Sequence, residues 1–420
     1  MKILWITNIT FPEAQQLLTG KGALKSSGGW MLGAAEALVK QPDLRLYVAS
    51  ISRRITKLTR LEGKHITYYI LPGGWRGFTR VNHGLEPYWR TVRDEVKPDV
   101  VHLHGTEYTH GLAYLEACGA EHVCVSIQGL VSAYNYYYYG LTRWDILRAA
   151  TFRSILFGGI LSGYGDFARR ADTEKDIIRR VSHIIGRTSW DRDRTWAINP
   201  VATYHYCGEI LRPEFYSGET WNYERCTPHS IFLSQGGYPL KGLHMVLRAM
   251  PLVLRHYPDA TIRIAGSDIT YSRAGWRRFF KMGDYGNIIR KLIKKYNLQK
   301  YVTFTGSLDA YGMKAEYLRA NVFVCPSSIE NSPNSLGEAQ ILGVPVLASY
   351  VGGIPDMMRG DEEHLYRFEE VEMLAHKIVK LFDKKDASAI NKTCQEATRR
   401  HDTQLNLSSL MDIYHSLTTI

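Results

Sequence analysis

The 420-residue chain has little of what would mark several common protein classes. No apolar run approaches the ~18 residues that a membrane-spanning helix requires. The longest candidate, SILFGGILSGYG at residues 154–165, is short and interrupted by glycine. The six cysteines are scattered, with no C-x-x-C pair and no histidine at zinc-ligand spacing. A disulfide scaffold and a structural zinc site are therefore not expected, and reduced, mostly buried thiols are. No cluster of aspartate and glutamate points to a metal, so none is assigned. The opening MKILWITNITFPE carries one lysine and a brief apolar stretch that runs into Pro12 and Glu13. It reads as a first strand and not as a signal peptide, which leads to an expected cytoplasmic location. No close internal repeat is present, and the only biased tract is YNYYYYG at residues 134–140.

Two nucleotide-binding fingerprints are also missing. GKGALKSS (residues 20–27) has Leu24 where a Walker A loop needs glycine before its lysine. Lys25 stands where the third glycine of a dinucleotide loop belongs, and the second strand ends ASISRR, without a carboxylate for a ribose. These absences argue against a P-loop NTPase and a dehydrogenase.

What is present is a globular composition, 45% hydrophobic and 22% charged, with a net charge of +11. Such a charge favours an anionic partner: nucleic acid, a membrane surface or a phosphorylated substrate. The basic clusters SRRITKLTR and RKLIKKY are dispersed and no nucleic-acid motif accompanies them, so nucleic acid is not expected as a partner.

Short apolar runs alternate with helical patterns through the first half: KILWITN, LRLYVAS, ITYYILP, DVVHLHG, HVCVSIQG and HIIGRT. After the mixed passage at residues 207–229 the alternation restarts with SIFLSQGG, ATIRIAG, YVTFTGS and NVFVCP. This pattern predicts an α/β fold of two consecutive units built on parallel sheets. Ligands in such sheets bind beyond the carboxyl ends of the strands, and two facing sheets would enclose a cleft. The expected division is residues 1–205, 206–400, and a last helix at 401–420 that could cross back to the first domain.

The most informative stretch is CPSSIENSPNSLGEAQILGVPVLASYVGGIPD (residues 325–356). A buried strand ends at Pro326, and NSLGEAQILG predicts a helix with Ser332 or Asn334 as cap, Pro333 near its first turn and Gly343 as its stop. The unpaired N–H groups of about residues 334–336 would then form an anion site. Glu338 stands just inside that helix, where a carboxylate beside a phosphate is repulsive unless it serves hydroxyls such as a ribose diol. Glu330 precedes the helix, with seven residues between the two acids.

This stretch resembles the donor-binding motif of retaining glycosyltransferase family 4, the group 1 glycosyltransferases. The resemblance implies a GT-B fold: two facing Rossmann-like domains with parallel sheets and an interdomain cleft. It implies that Glu338 contacts the nucleotide ribose, that Glu330 lies at the sugar, and that backbone at Asn334, Ser335 and Leu336 holds the diphosphate. SQGGYPLKGLHMVL (residues 234–247) is similar to the family's phosphate loop. Lys241 matches its lysine, a point cation for the leaving diphosphate, and Gly236 and Gly237 permit close backbone approach. The arginine frequent before that lysine is absent, since Gln235 and Gly236 stand there.

On the acceptor side the resemblance falls on Gly28 and Gly29 at a helix start, and on the strand ends that carry His104 and Gln128. Gln128 replaces a frequent histidine and cannot titrate. Arg187 and Glu209 are expected to face the cleft without an assigned role. The activity implied is transfer, with retention, from a nucleotide-diphosphate sugar to a hydroxyl of a glycan or lipid-linked glycan, in bacterial polysaccharide synthesis. Catalysis is assigned to Lys241 and Glu330 with the helix N–H groups, and no cofactor or metal beyond the nucleotide sugar is expected. An epimerase or a soluble disaccharide synthase of the same fold is the alternative.

One segment remains, residues 134–160, which mixes aromatic and apolar residues with Arg143, Arg148 and Arg153. It could touch an anionic membrane at the cytoplasmic face, or form a buried helix pair with arginines reaching solvent. The three arginines, five apart, do not share one helical face.

Overall fold

The computed structural model describes residues 1–20, 29–73, 81–137, 140–272, 275–383 and 388–418. The chain divides into two compact units, one of Met1–Asn135, Asp166–Arg212 and Arg400–Ile420, the other of Tyr136–Gly165 and Pro213–Arg399.

The first unit is an eight-stranded sheet of β1 (Lys2–Ile6), β2 (Arg45–Ser52), β3 (Thr59–Glu62), β4 (Ile66–Pro72), β5 (Val100–His104), β6 (Val123–Ser126), β7 (His183–Gly186) and β8 (Thr203–Tyr206). Its strand order is β3-β4-β2-β1-β5-β6-β7-β8, parallel throughout except that β3 runs antiparallel to β4. β1 and β5 read as nearly continuous apolar runs because helices cover both faces of the sheet. The pleat sends alternate residues to opposite sides. Leu4 and Ile6 enter a core with Trp89 and Leu103, while Ile3 and Trp5 enter a second core on the other face. The last helix, Thr403–Thr418, covers that second face, where Trp5 Nε1 donates to Tyr414 Oη at 2.9 Å and Leu410, Ile413 and Leu417 are buried.

The second unit holds β9 (Ser230–Leu233), β10 (Thr261–Ile264), β11 (Val302–Phe304), β12 (Val322–Cys325), β13 (Val346–Ser349) and β14 (Leu365–Tyr366), in the order β11-β10-β9-β12-β13-β14, all parallel. Tyr317 packs edge to face on Phe232 and Phe323 in its core, with ring centroids 5.1 and 5.2 Å apart, and the two phenylalanine rings lie tilted at 6.2 Å. In each sheet the order reverses beside a central strand, between β1 and β5 and between β9 and β12. That reversal separates the crossover connections to the two sides and leaves a crevice at the carboxyl ends.

Two features differ from the sequence reading. β3, with the polar pattern TRLE, was not expected: it pairs as an outer strand whose side chains are half-buried or exposed. Residues 136–165 pack within the second unit although they interrupt the first in sequence. Asn287 Nδ2 donates to Ala149 O at 3.0 Å, and His244 Nε2 lies 2.9 Å from Gly140 O. Asp284 accepts the N–H of Ile160 at 2.7 Å.

Candidate active site

Three loops, following β9, β12 and β13, are stitched together at the strand-order reversal of the second unit. After β9, Gly236 is packed so closely that a Cβ there would lie 2.9 Å from side-chain carbons of Ile264 and Leu243, while Gly237 opens onto free space. The turn Pro239–Lys241 ends at Gly242, with φ 69°, and a Cβ there would stand 1.7 Å from Pro326 O. Only glycine fits both demands. Ser328 N donates to Leu240 O at 2.8 Å, which joins the β9 and β12 loops directly. On the far side Gly352, with φ 53°, brings the β13 loop against Glu330 O, where a Cβ would sit 1.9 Å away; Gly353 N donates to the same oxygen at 3.0 Å.

These loops hold Glu330 against the Lys241 ammonium, and Ser327 Oγ donates to the same carboxylate oxygen at 2.9 Å. Both charged side chains are largely buried, at 19% and 10% exposure. Burial alone would lower the Lys241 pKa, but the adjacent Glu330 carboxylate outweighs it and holds the ammonium above the ordinary lysine value. Lys241 thus carries its charge at neutral pH. Burial pushes the neighbouring Cys325 thiol up to about 12, so it stays protonated and unreactive.

The helix Asn334–Ile341 begins four residues after Glu330. Its cap is Pro333, with extended backbone and no side-chain hydrogen bond, where Ser332 or Asn334 was expected. The consequence is chemical. Proline offers no side-chain acceptor, so no described residue accepts from the N–H groups of Asn334 and Ser335. Leu336, expected as a third donor, gives its N–H to Pro333 O at 2.9 Å and buries its side chain completely. The anion site of this helix therefore has two amides. Asn334 Oδ1 is buried without a hydrogen bond beside them. Glu338 follows one turn on, 5% exposed, with Tyr317 Oη 3.4 Å from its Oε2; that hydroxyl also donates to Ser335 O at 2.9 Å. Gly343, with φ 73°, follows the helix as expected of its stop.

The first unit gathers the other expected residues at the ends of four neighbouring strands. His104 ends β5, Gln128 follows β6, Arg187 follows β7 and Glu209 follows β8, and all four line one cavity of about 50 Å³. Parallel neighbours put these ends on one edge. His104 is buried between the Trp5 ring at 4.3 Å and the His102 ring at 3.9 Å, and burial holds both imidazoles neutral, His102 at about 3. Arg187 contacts the Glu209 carboxylate and donates to Ile127 O at 2.7 Å and Gln128 O at 3.2 Å. Gly29 opens the helix Gly29–Leu38, and Gly28 lies outside the described residues.

Two buried carboxyls here had no sequence signal. Glu174, fully buried, accepts the N–H groups of Val131 at 2.7 Å and Ser132 at 2.9 Å, and thereby caps the helix Val131–Tyr137. Burial pushes the Glu107 carboxyl up to about 7; Glu174 adds to the rise while Arg170 and Arg187 oppose it. Folding also makes two groupings that sequence spacing had not indicated, His83 with Glu86 and Glu116, and Asp361 with Glu363 and His364. Each contains a close imidazole–carboxylate contact, 3.1 Å for His83–Glu86 and 2.6 Å for His364–Asp361, which accounts for the proximity without an ion.

Residues 227–384, which contain the whole of the three-loop site, match the family model for glycosyl transferases group 1. This chain carries a group 1 glycosyltransferase domain. Its GT-B fold is shared over both units with a sucrose-phosphate synthase from Thermosynechococcus elongatus, at a TM-score of 0.71 and 16% identity over 99% of this chain and 98% of that one. In sequence, the chain is 33% identical over 118 residues to the sulfoquinovosyl transferase SQD2 of Arabidopsis thaliana, covering 26% of this chain and 23% of that protein. It is 28% identical over 152 residues to a GDP-mannose-dependent monoacylated alpha-(1-6)-phosphatidylinositol monomannoside mannosyltransferase of Corynebacterium glutamicum, covering 34% and 35%. These matches span about a quarter to a third of the curated relatives' lengths.

Proposed function

We propose that this chain is a retaining glycosyltransferase that moves a hexosyl group from a nucleoside-diphosphate sugar to a hydroxyl of a glycan or lipid-linked glycan, in bacterial surface polysaccharide synthesis. The observation that carries this reading is the set of groups around Glu330. A fixed ammonium, two amides without an acceptor at a helix start and an acid one turn inside that helix stand on loops tied to one another. A diphosphate fits the amides and Lys241, and a ribose diol fits Glu338. The Corynebacterium relative, a GDP-mannose-dependent transferase, supports a nucleotide sugar as donor.

In this reading Lys241 stabilises the charge that develops on the leaving diphosphate, and the Asn334 and Ser335 amides share that load. Glu330 keeps the ammonium in place and stands toward the transferred sugar. Among the described residues at the site, the one thiol, Cys325, is held protonated, the Glu330 carboxylate is engaged by Lys241 and Ser327, and Glu338 accepts from Tyr317. That favours attack by the acceptor hydroxyl on the face the diphosphate leaves, which retains configuration. His104, Gln128 and Arg187 belong to the acceptor side as its frame, with His104 and the adjacent His102 structural and neutral and Arg187 engaged by Glu209.

A thermal-shift screen of UDP-, GDP- and ADP-sugars tests the reading. A bound donor raises the midpoint by mass action, and Glu338→Ala is expected to remove the rise. No response to any of the donors, or an undiminished response in Glu338→Ala, would overturn the site. A new sugar epimer formed without acceptor would replace transfer by epimerisation.

A further inference from the structure

The second unit displays an apolar surface that its own core does not use. The helix Phe152–Phe157, sequence FRSILF, has four large apolar side chains and no buried residue. Ile155 is 75% exposed and Phe157 78%. Trp144, on the preceding helix Arg143–Arg148, is 69% exposed, as is Trp276 from a segment more than a hundred residues later. The two segments meet: the Phe152 and Phe280 rings pack edge to face at 5.6 Å, and Phe280 contacts Trp276 at 6.1 Å. The sequence reading expected either one continuous stretch at a membrane or a buried helix pair. The structure has instead two short helices, broken at Ala149 to Thr151, joined to a distant aromatic segment.

The underside of this surface is fixed, so its exposure is built in. Ile146 and Ile160 are buried, Asp284 binds the N–H of Ile160, and Lys291 Nζ donates to Arg148 O at 2.7 Å. The rim is basic. Arg143, Arg148, Arg153 and Lys281 are exposed, and residues 275–300 contain eight lysines and arginines against one acid, Asp284, which is buried.

We propose that this composite surface docks on an anionic lipid bilayer, with Ile155, Leu156, Phe157, Trp144 and Trp276 entering the interfacial layer and the arginines and lysines on the head groups. It deepens the reading of a lipid-linked acceptor by naming the surface that reaches the lipid. An exposed contiguous apolar patch marks an interaction site, and tryptophans with a cationic rim fit the bilayer interface. Charge decides between a bilayer and a second copy of the chain. Pairing this surface with itself would bring two basic rims together, whereas anionic head groups neutralise the rim. No described helix is long and apolar enough to cross the membrane, so the contact is peripheral.

Cosedimentation of the full chain with vesicles tests this directly. Equal mixtures of phosphatidylcholine and phosphatidylglycerol are expected to bind about tenfold more tightly than phosphatidylcholine alone, and to release the protein as salt rises. The double variant Leu156→Ser, Phe157→Ser is expected to weaken binding about tenfold, and Arg148→Glu, Arg153→Glu to flatten its salt dependence as well. These side chains are exposed, so circular dichroism and the donor-induced thermal shift should remain those of the parent. No preference for anionic vesicles, or serine variants that bind as well as the parent, would overturn the proposal. So would a lipid-free dimer that the same serines dissociate. Vesicle binding without any response to nucleotide sugars would leave this surface standing and remove the transfer reading; the reverse result would do the opposite.

Discussion

Lys241 and Arg187 are both cations held by one carboxylate at the carboxyl edge of a parallel sheet, one in each unit, and their surroundings differ in kind. Arg187 spends its guanidinium on Glu209 and on the carbonyls of Ile127 and Gln128, inside a cavity of about 50 Å³. Lys241 gives one of its three donors to Glu330, on a loop that leads within four residues to two amides without acceptors. The first arrangement spends its cation inside the fold on an acid and two carbonyls, although both Glu209 oxygens lack a hydrogen bond, and the second sets its cation beside amide donors open to an anion. Spare N–H donors beside a fixed cation, more than charge itself, separate an anion-binding site from an internal ion pair.

Substitution of the two cations gives the largest expected contrast. Lys241→Ala should lower transfer by about 10²–10³-fold, the range for removing one group that stabilises developing charge, and should remove most of the donor-induced thermal shift. Its unfolding midpoint should fall modestly, because Ser327 still serves the stranded Glu330. A Lys241→Ala protein with parental turnover would place the charge stabilisation elsewhere.

Arg187→Ala is expected to behave in the opposite way. Glu209 would be left buried without its cation, at a cost of about 3–5 kcal/mol in unfolding free energy. Denaturant melts should show this loss while nucleotide-sugar binding to the folded protein stays unchanged. If Arg187→Ala instead kept its stability and lost acceptor turnover, the cavity in the first unit would have to be redrawn as a site with its own spare capacity.

The same contrast explains what the sequence made legible. The Glu330-to-Glu338 stretch lies in one continuous segment, so a strand, a loop, a helix start and two acids could be placed by local pattern alone. The cap could not, since Pro333 at that position depends on how the β12 loop is pulled toward Leu240 and Gly353. Gly242 and Gly352 were silent for a similar reason: the atoms that forbid a Cβ there, Pro326 O and Glu330 O, belong to other loops. In the first unit nearly everything is of this second kind. His104, Gln128, Arg187 and Glu209 were each visible as polar residues after a strand. Their convergence, and the Arg187–Glu209 pair, needed the strand order β5-β6-β7-β8. β3 was missed because TRLE is an outer strand without the apolar run that announces a central one. The grouping of residues 136–165 with the second unit rests on contacts to His244, Asp284 and Asn287, far away in the chain.

The smallest expected effect concerns a buried acid that the ion pairs leave unserved. Glu107 Oε2 is buried without a hydrogen bond, whereas Glu174 nearby is held by two backbone amides and by the hydroxyls of Thr106 and Ser132. The folded chain therefore keeps the Glu107 proton to about pH 7, while the unfolded chain releases it near the ordinary 4.5. Between those values unfolding liberates a proton, so this group's contribution makes stability fall as pH rises through the window, then stay level above it. Glu107→Gln carries no titrating proton and keeps the size of the side chain. It should match the parent near pH 4.5 and exceed it by about 3 kcal/mol at pH 8, read as the difference between denaturant melts of the two proteins. A constant difference across that range would mean that Glu107 is ionised in the folded chain, and that Arg170 and Arg187 supply the first unit with the same kind of charge pairing that Lys241 supplies to the second.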